Sequence, residues 1–237
     1  MRLIGFSTGA IAKGDFERAL KAMAPSELPA VELSALRLNE LPRLAEVAEH
    51  LDLASYRYVS VHAPSRFGLD DEQTVVRLLK RLVIRGWPIV VHPDVICADA
   101  LWLPFGSNLV LENLDRRNSV GRTADEIQLL FRRFPNARFC FDVGHARQVD
   151  PTMNEAHLIL QQNRTRLCQI HISEVNFFSR HDPLSFAAVE ATRRVAHLIP
   201  EKVPIILETL IDQGQSTIQT EIQRAERALT PIFSVAV

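Results

Sequence analysis

"ARFCFDVGH", residues 137–145, strings Phe139, Cys140 and Phe141 into one apolar run and then finishes on Asp142 and His145, three positions apart. Such a run reads as a strand covered on both faces, the pattern of a parallel sheet rather than of a half-exposed antiparallel one. An acid and a histidine at its end stand where the strand hands over to the next helix. α/β proteins project their reactive side chains from that place.

The rest of the chain repeats the arrangement. Comparable segments are "RLIGFS" (2–7), "AVELSA" (30–35), "YVSVHAP" (58–64), "PIVVHPD" (88–94), "NLVLENL" (108–114), "CQIHISE" (168–174) and "PIILETL" (204–210). Between most of them lie stretches with apolar residues at three- and four-residue spacing, among them "DFERALKAMA", "DEQTVVRLLKRLVIRG", "TADEIQLLFRRFP" and "LSFAAVEATRRVAHLIP". Eight strands alternating with helices in 237 residues predict an α/β fold. The expected form is a single (β/α)8 TIM barrel over residues 1–237, with its site at the C-terminal ends of the strands. The fourth unit is the short one, since only "VICADALWLPFGS" separates strands four and five. An open doubly wound sheet is the rival topology. No Gly/Ser-rich linker or charge run marks a second domain.

Composition narrows the classes. The chain is 47% hydrophobic and 23% charged, enough apolar residue for an ample core. Lys and Arg number 27 against 28 Asp and Glu, so no bulk field draws in nucleic acid or an anionic membrane. The basic run "RLLKRLVIR" (77–85) reads as the solvent face of a helix, whereas Arg116, Arg117 and Arg122 in "DRRNSVGR" follow strand five on the active-site side, where a phosphate could meet them. Cys97, Cys140 and Cys168 have no paired spacing and read as reduced core residues. No signal peptide and no 18-residue apolar run is present, so a soluble cytoplasmic protein is expected. Nucleotide-loop and serine-hydrolase motifs are missing. Trp87 and Trp102 read as core, and Ser7 and Thr8 as the pocket floor.

At or near the C-terminal end of successive strands stand Glu32, His62, His92, Glu112, Asp142, His171 and Glu208, with His145 just beyond. Ordinary structural pairing explains one such residue. Seven on separate strands at one barrel face would leave a cluster of unneutralised carboxylates in an apolar setting, and a bound divalent metal is the simplest compensation. Glu32 has two open readings, a substrate contact or a partner for Arg37.

"VSVHAPS", "IVVHPD", "LVLENLD", "FCFDVGHA", "QIHISEV" and "IILETL" resemble, in order along nearly the whole chain, the strand-end motifs of the xylose isomerase-like barrel superfamily. That superfamily includes endonuclease IV, ketose epimerases and sugar phosphate isomerase/epimerase-like proteins. The resemblance implies a shared metal site of Glu112, Asp142, His171 and Glu208, holding Mn, Zn or Co. It makes His145 a substrate contact or a ligand to a further ion. His62 and His92 resemble the additional histidines of endonuclease IV, so between one and three ions are expected. Where that enzyme carries an Asp-x-His pair, this chain reads "SRHDPLS", with His181 and Asp182 adjacent, which leaves His181 as the candidate ligand there. Arg180 is either a substrate contact, as in the sugar isomerase branch, or a solvated loop residue.

The implied function is a metal-dependent isomerase or epimerase of a small sugar or sugar phosphate, with Glu112 and Glu208 as paired acid and base. One alternative is an endonuclease IV-like multinuclear zinc phosphodiesterase, disfavoured as a DNA enzyme by the neutral charge and short connections. The other is a non-catalytic barrel that binds metal or sugar.

Overall fold

Apolar strands that must hide both faces have two solutions, an open sheet between helix layers or a closed barrel. The computed structural model, which describes residues 2–211 and 217–231, takes the second. The first seven strands of the ring are β1 (Ile4–Ser7), β2 (Ala30–Ser34), β3 (Tyr58–His62), β4 (Ile89–Val91), β5 (Leu109–Glu112), β6 (Arg138–Asp142) and β7 (Leu167–Ile172). A small antiparallel hairpin then intervenes, β8 (Glu174–Val175) with β9 (His181–Asp182), before β10 (Ile205–Leu207) closes the ring. Every pairing in the ring is parallel, and β1 bonds to both β2 and β10, which excludes the open sheet. The expected span of 1–237 also takes in residue 1, 212–216 and 232–237, which lie outside the described residues.

Helices flank the ring where the spacing predicts them. In Glu72–Val83 the apolar Val75, Val76, Leu79 and Leu82 are buried, while Arg77, Lys80 and Arg81 face solvent as expected. Burying each such aliphatic side chain contributes about 1.5–3 kcal/mol. The fourth unit holds only a helical turn, Asp99–Trp102, followed by the 3-10 segment Leu103–Asn108. Trp102 fills the missing volume. It is fully buried, stacks on Phe105 with ring centres 5.7 Å apart, and donates its indole N–H to Glu72 Oε1 at 2.8 Å. Trp87 is buried beneath the Arg85 guanidinium, so both tryptophans are structural. The cysteines are unpaired, but Cys97 is exposed and only Cys140 is fully buried, because the residues after β4 form a surface turn instead of a core helix.

The barrel interior departs from the usual stack of branched aliphatic layers. Val90, Val110 and Cys140 fill one side, whereas Glu32, Ser60 and Gln169 make the other side polar. Gln169 on β7 bonds to Tyr58 on β3 and Glu32 on β2, strands that are not its neighbours, so these bonds cross the lumen. The polar layer lies directly beneath the strand-end cluster: the register sets Glu32 beside Ser60 and Ser34 beside His62, with Asp142 beside His171.

Candidate metal centre

Each candidate side chain is placed by a strand end and the turn after it. Asp142 ends β6 and caps the helix Val143–Val149, its Oδ1 accepting the His145 backbone N–H at 2.5 Å. The D-x-x-H spacing of the sequence is therefore an N-cap, with the acid at N-cap and the histidine at N3. Asn113 holds the strand end from β5, taking the Asp142 N–H on its Oδ1 and donating its amide to the Asp142 carbonyl, both at 2.8 Å. Gly144 lets this helix approach β7 and β8, since a Cβ there would lie 2.5 Å from Val175 Cγ2 and 2.9 Å from the Ser173 carbonyl oxygen.

Glu112 is the centre of the cluster. Its Oε1 lies 3.0 Å from His171 Nδ1 and 3.6 Å from His145 Nδ1, while its Oε2 lies 3.1 Å from His62 Nε2 and 3.4 Å from His92 Nε2. Glu208 closes the far side, with Oε2 3.7 Å from His171 Nδ1 and 3.5 Å from His181 Nδ1. Among the described residues, donor atoms within 4.8 Å of one another form three overlapping groups: Glu112, Asp142, His171 and Glu208; His62, His92 and Glu112; and His62, His171 and Glu208. Six of the eight expected ligands thus come together. His145 and His181 stand beside them, His145 bonded through Nδ1 to the Asn113 carbonyl at 3.0 Å and His181 bonded to Ser173 Oγ at 2.8 Å.

The carboxylates and imidazoles of the cluster shift one another strongly. Burial would raise the Glu112 carboxyl, but His171, His62 and His92 around it outweigh burial and hold it well below the usual carboxylate range. Burial likewise opposes charge on His62, yet the bond to Glu112 and the nearby acids raise it to about 9. Glu208 is pushed up to about 7, chiefly by burial. Burial also raises Asp142, whose Oδ2 is buried without a partner.

The donor set fits a divalent cation. His62 Nδ1 bonds the Ala63 carbonyl at 2.7 Å, which leaves Nε2, 3.1 Å from Glu112 Oε2, as the nitrogen that faces the cluster. Mixed imidazole and carboxylate ligands suit Zn²⁺, Mn²⁺ or Co²⁺.

Not every expected site residue is part of it. Glu32 is fully buried one layer beneath the cluster, bonded to Ser60 and Gln169, and cannot meet substrate at the mouth; Arg37 pairs with Glu40 instead. Arg122 is engaged by Glu126 at 2.6 Å, while Arg116 lies over the Phe177 ring and Arg117 donates to the Phe178 carbonyl. Arg180 is exposed and lines, with Ser7, Leu36, His181 and Glu208, a cavity of about 240 Å³ at the mouth. Asn113, Gln169, Ser60 and Tyr58 escaped the sequence reading. The period of two marked three of them: Ser60 and Tyr58 stand two and four residues before His62, and Gln169 two before His171, on the same inward face.

The sequence matches no protein-family model and no curated protein. Among solved structures, endonuclease IV from Thermus thermophilus superimposes over 95% of this chain and 97% of its own, with a TM-score of 0.61 at 17% identity. The two share one fold. SacUVDE aligns over 90% of this chain and 82% of its own (TM-score 0.53, 17% identity). Dihydropteroate synthase of Yersinia pestis aligns over 95% and 91% (0.50, 12%). These likenesses show the fold, a closed (β/α)8 barrel, and the cluster lies at the C-terminal ends of its strands, where such barrels carry their sites.

No helix among the described residues is long and apolar enough to cross a membrane.

Proposed function

We propose that this chain is a divalent-metal-dependent isomerase or epimerase of a small sugar or sugar phosphate. The observation that carries the reading is the mouth cavity. At about 240 Å³ it is smaller than the ~300–1,000 Å³ of drug-sized sites, and it opens onto Glu208 and His181. A small substrate seated there lies against the apolar wall of Ala10, Leu36 and Leu210, with Arg180 at the rim for a hydroxyl or phosphate.

Glu112, Asp142, His171 and Glu208 would hold the ion, whose contribution is to polarise a substrate carbonyl so that the neighbouring C–H becomes acidic. Glu208, the partly exposed carboxylate, meets the substrate first and takes the α-proton on its oxygen. Glu112, deeper and surrounded by His62, His92 and His171, holds negative charge in place and can receive a proton through the histidines. Proton transfer by positioned carboxylates of this kind supplies ~10²–10⁴-fold.

A second reading is favoured by one feature, the sharing of Glu112 between two donor groups. Glu112, with His62 and His92, would hold a second ion beside the first, which would supply an activated water for hydrolysis of a phosphodiester, and the fold shared with endonuclease IV is consistent with it.

Metal content per chain, followed by assays on a ketose panel in heavy water and on an abasic duplex, tests both readings. About one ion with deuterium entering the sugar supports the isomerase. Two or more zinc ions with strand cleavage support the phosphodiesterase and overturn it. Tight metal with neither activity supports a binding barrel.

A further inference from the structure

We infer that the N-terminal opening of the barrel, the end opposite the metal cluster, is a second binding site, which takes the phosphate group of a small phosphorylated molecule. Arg57 and Arg138 are its anion-binding residues, and Arg85 adds a third positive charge at the wall. The inference stands on residues apart from the metal centre and does not depend on it.

The site is a cavity of about 530 Å³, against about 240 Å³ at the mouth. Its place follows from what lines it: Tyr58 and Arg138 are the first residues of β3 and β6, and Pro88 directly precedes β4. Its volume falls within the ~300–1,000 Å³ of small-molecule sites. Its charge is one-sided, since Arg57, Arg85 and Arg138 line it and Asp52 is the one acid among the described residues that do.

Arg138 is the residue that ordinary surface charge does not explain. Cys140 packs inside the ring with Val90 and Val110, so the period of two turns Arg138 inward as well, at the floor of the lumen. A cation in such a place is expected to have a carboxylate beside it. Arg117, Arg122, Arg133 and Arg147 each have one, but among the described residues no carboxylate oxygen lies within 4.0 Å of the Arg57, Arg85 or Arg138 guanidinium. Asp52 is turned to the Ala54 backbone N–H at 3.2 Å instead.

The cations are held ready. Arg138 donates its Nε to the Ser107 carbonyl at 2.5 Å, which anchors the guanidinium and leaves its two terminal nitrogens without a hydrogen bond among the described residues. Arg85 is fixed by bonds from one terminal nitrogen to the Ala48 and Glu49 carbonyls, both at 3.0 Å, and by the Trp87 ring 4.7 Å away. Arg57 is exposed at the rim. Side chains already ordered lose little freedom on binding, and planar guanidinium forks match phosphate oxygens. The remainder of the ligand has Leu53, Tyr56 and Pro88 to lie against.

The test is titration calorimetry on the full metal-free chain with inorganic pyrophosphate, glucose 6-phosphate and AMP, comparing wild type, Arg57→Gln, Arg138→Gln and Arg180→Gln. At least one probe is expected to bind once per chain at this end, more weakly as sodium chloride is added. Affinity should fall roughly tenfold or more in Arg57→Gln and in Arg138→Gln, each having lost a charge-assisted hydrogen bond, and stay at the wild-type value in Arg180→Gln. Equal binding of all three probes supports a site that reads phosphate alone; preference for one ester supports a site that also reads the sugar or the base. Should Arg138→Gln not fold, Arg57→Gln, a change at an exposed position, still decides. Absence of binding by any probe at about 10 mM overturns the inference. So does binding that Arg57→Gln and Arg138→Gln leave unchanged, and so does binding lost in Arg180→Gln, which would place the ligand at the mouth.

Discussion

His62 Nε2 lies 3.1 Å from Glu112 Oε2 inside the barrel mouth, both side chains almost wholly removed from water. The bond to Glu112 and the nearby carboxylates outweigh burial and raise His62 from its ordinary 6.5 to about 9. A histidine whose folded value is raised contributes stability that is fully present below the unfolded value and is lost as pH rises through the folded one. The metal-free protein is therefore expected to melt at progressively lower temperature from pH 6.5 to pH 9. The loss is on the order of 3 kcal/mol, each kcal/mol shifting the midpoint by roughly 2–4 °C in a chain of this size. Calorimetry of wild type and His62→Gln checks it. The variant should show a flatter slope over that range, and a wild-type curve already flat there would show that the pair does not share a proton.

Asp142→Ala and His171→Ala each remove a donor from the four-residue group and should lower metal content after exhaustive dialysis. His92→Ala touches only the group built on His62 and Glu112, so it should cost at most one ion. Plasma mass spectrometry reads both; unchanged metal in the Asp142 and His171 variants would show that ions bind elsewhere.

Glu208→Gln keeps the shape of the mouth and removes the carboxylate that meets substrate. Exchange of the substrate α-proton should fall by ~10²–10⁴-fold. Deuterium incorporation followed by NMR at matched metal occupancy separates this from a loss of metal.

Glu72 supplies a prediction away from the site. This buried acid accepts the backbone N–H groups of Cys97 and Ala98 and the Trp102 indole N–H, all on its Oε1 at 2.8–3.1 Å. Glu72→Ala strands three donors beneath the short fourth unit and should cost about 3 kcal/mol in urea unfolding. Metal content of the folded variant should not change.

The barrel was legible because its code is local. A strand covered on both faces needs an unbroken apolar run and a helix needs apolar residues at a period of 3.6, and "RFCFDVG" or "RLLKRLV" carries that pattern without reference to any other residue. The strand-end acids and histidines were legible for the same reason, standing at one phase of eight repeated units. Glu32 shows the limit. Like Glu112 and Glu208 it is an acid in an apolar strand segment, yet it lies in the middle of β2 and one layer lower.

By itself, then, the chain determined that eight strands and their helices form and that ionisable groups gather at one end. Only the tertiary structure decided which of those groups touch. Closure of the ring sets the stagger between neighbouring strands, and that stagger places His62, His92 and His171 around one carboxylate while sending Glu32 below. Gln169 reaches Tyr58 and Glu32 from a strand that neighbours neither of theirs, so these contacts across the lumen depend on barrel diameter and register, quantities that no local pattern encodes.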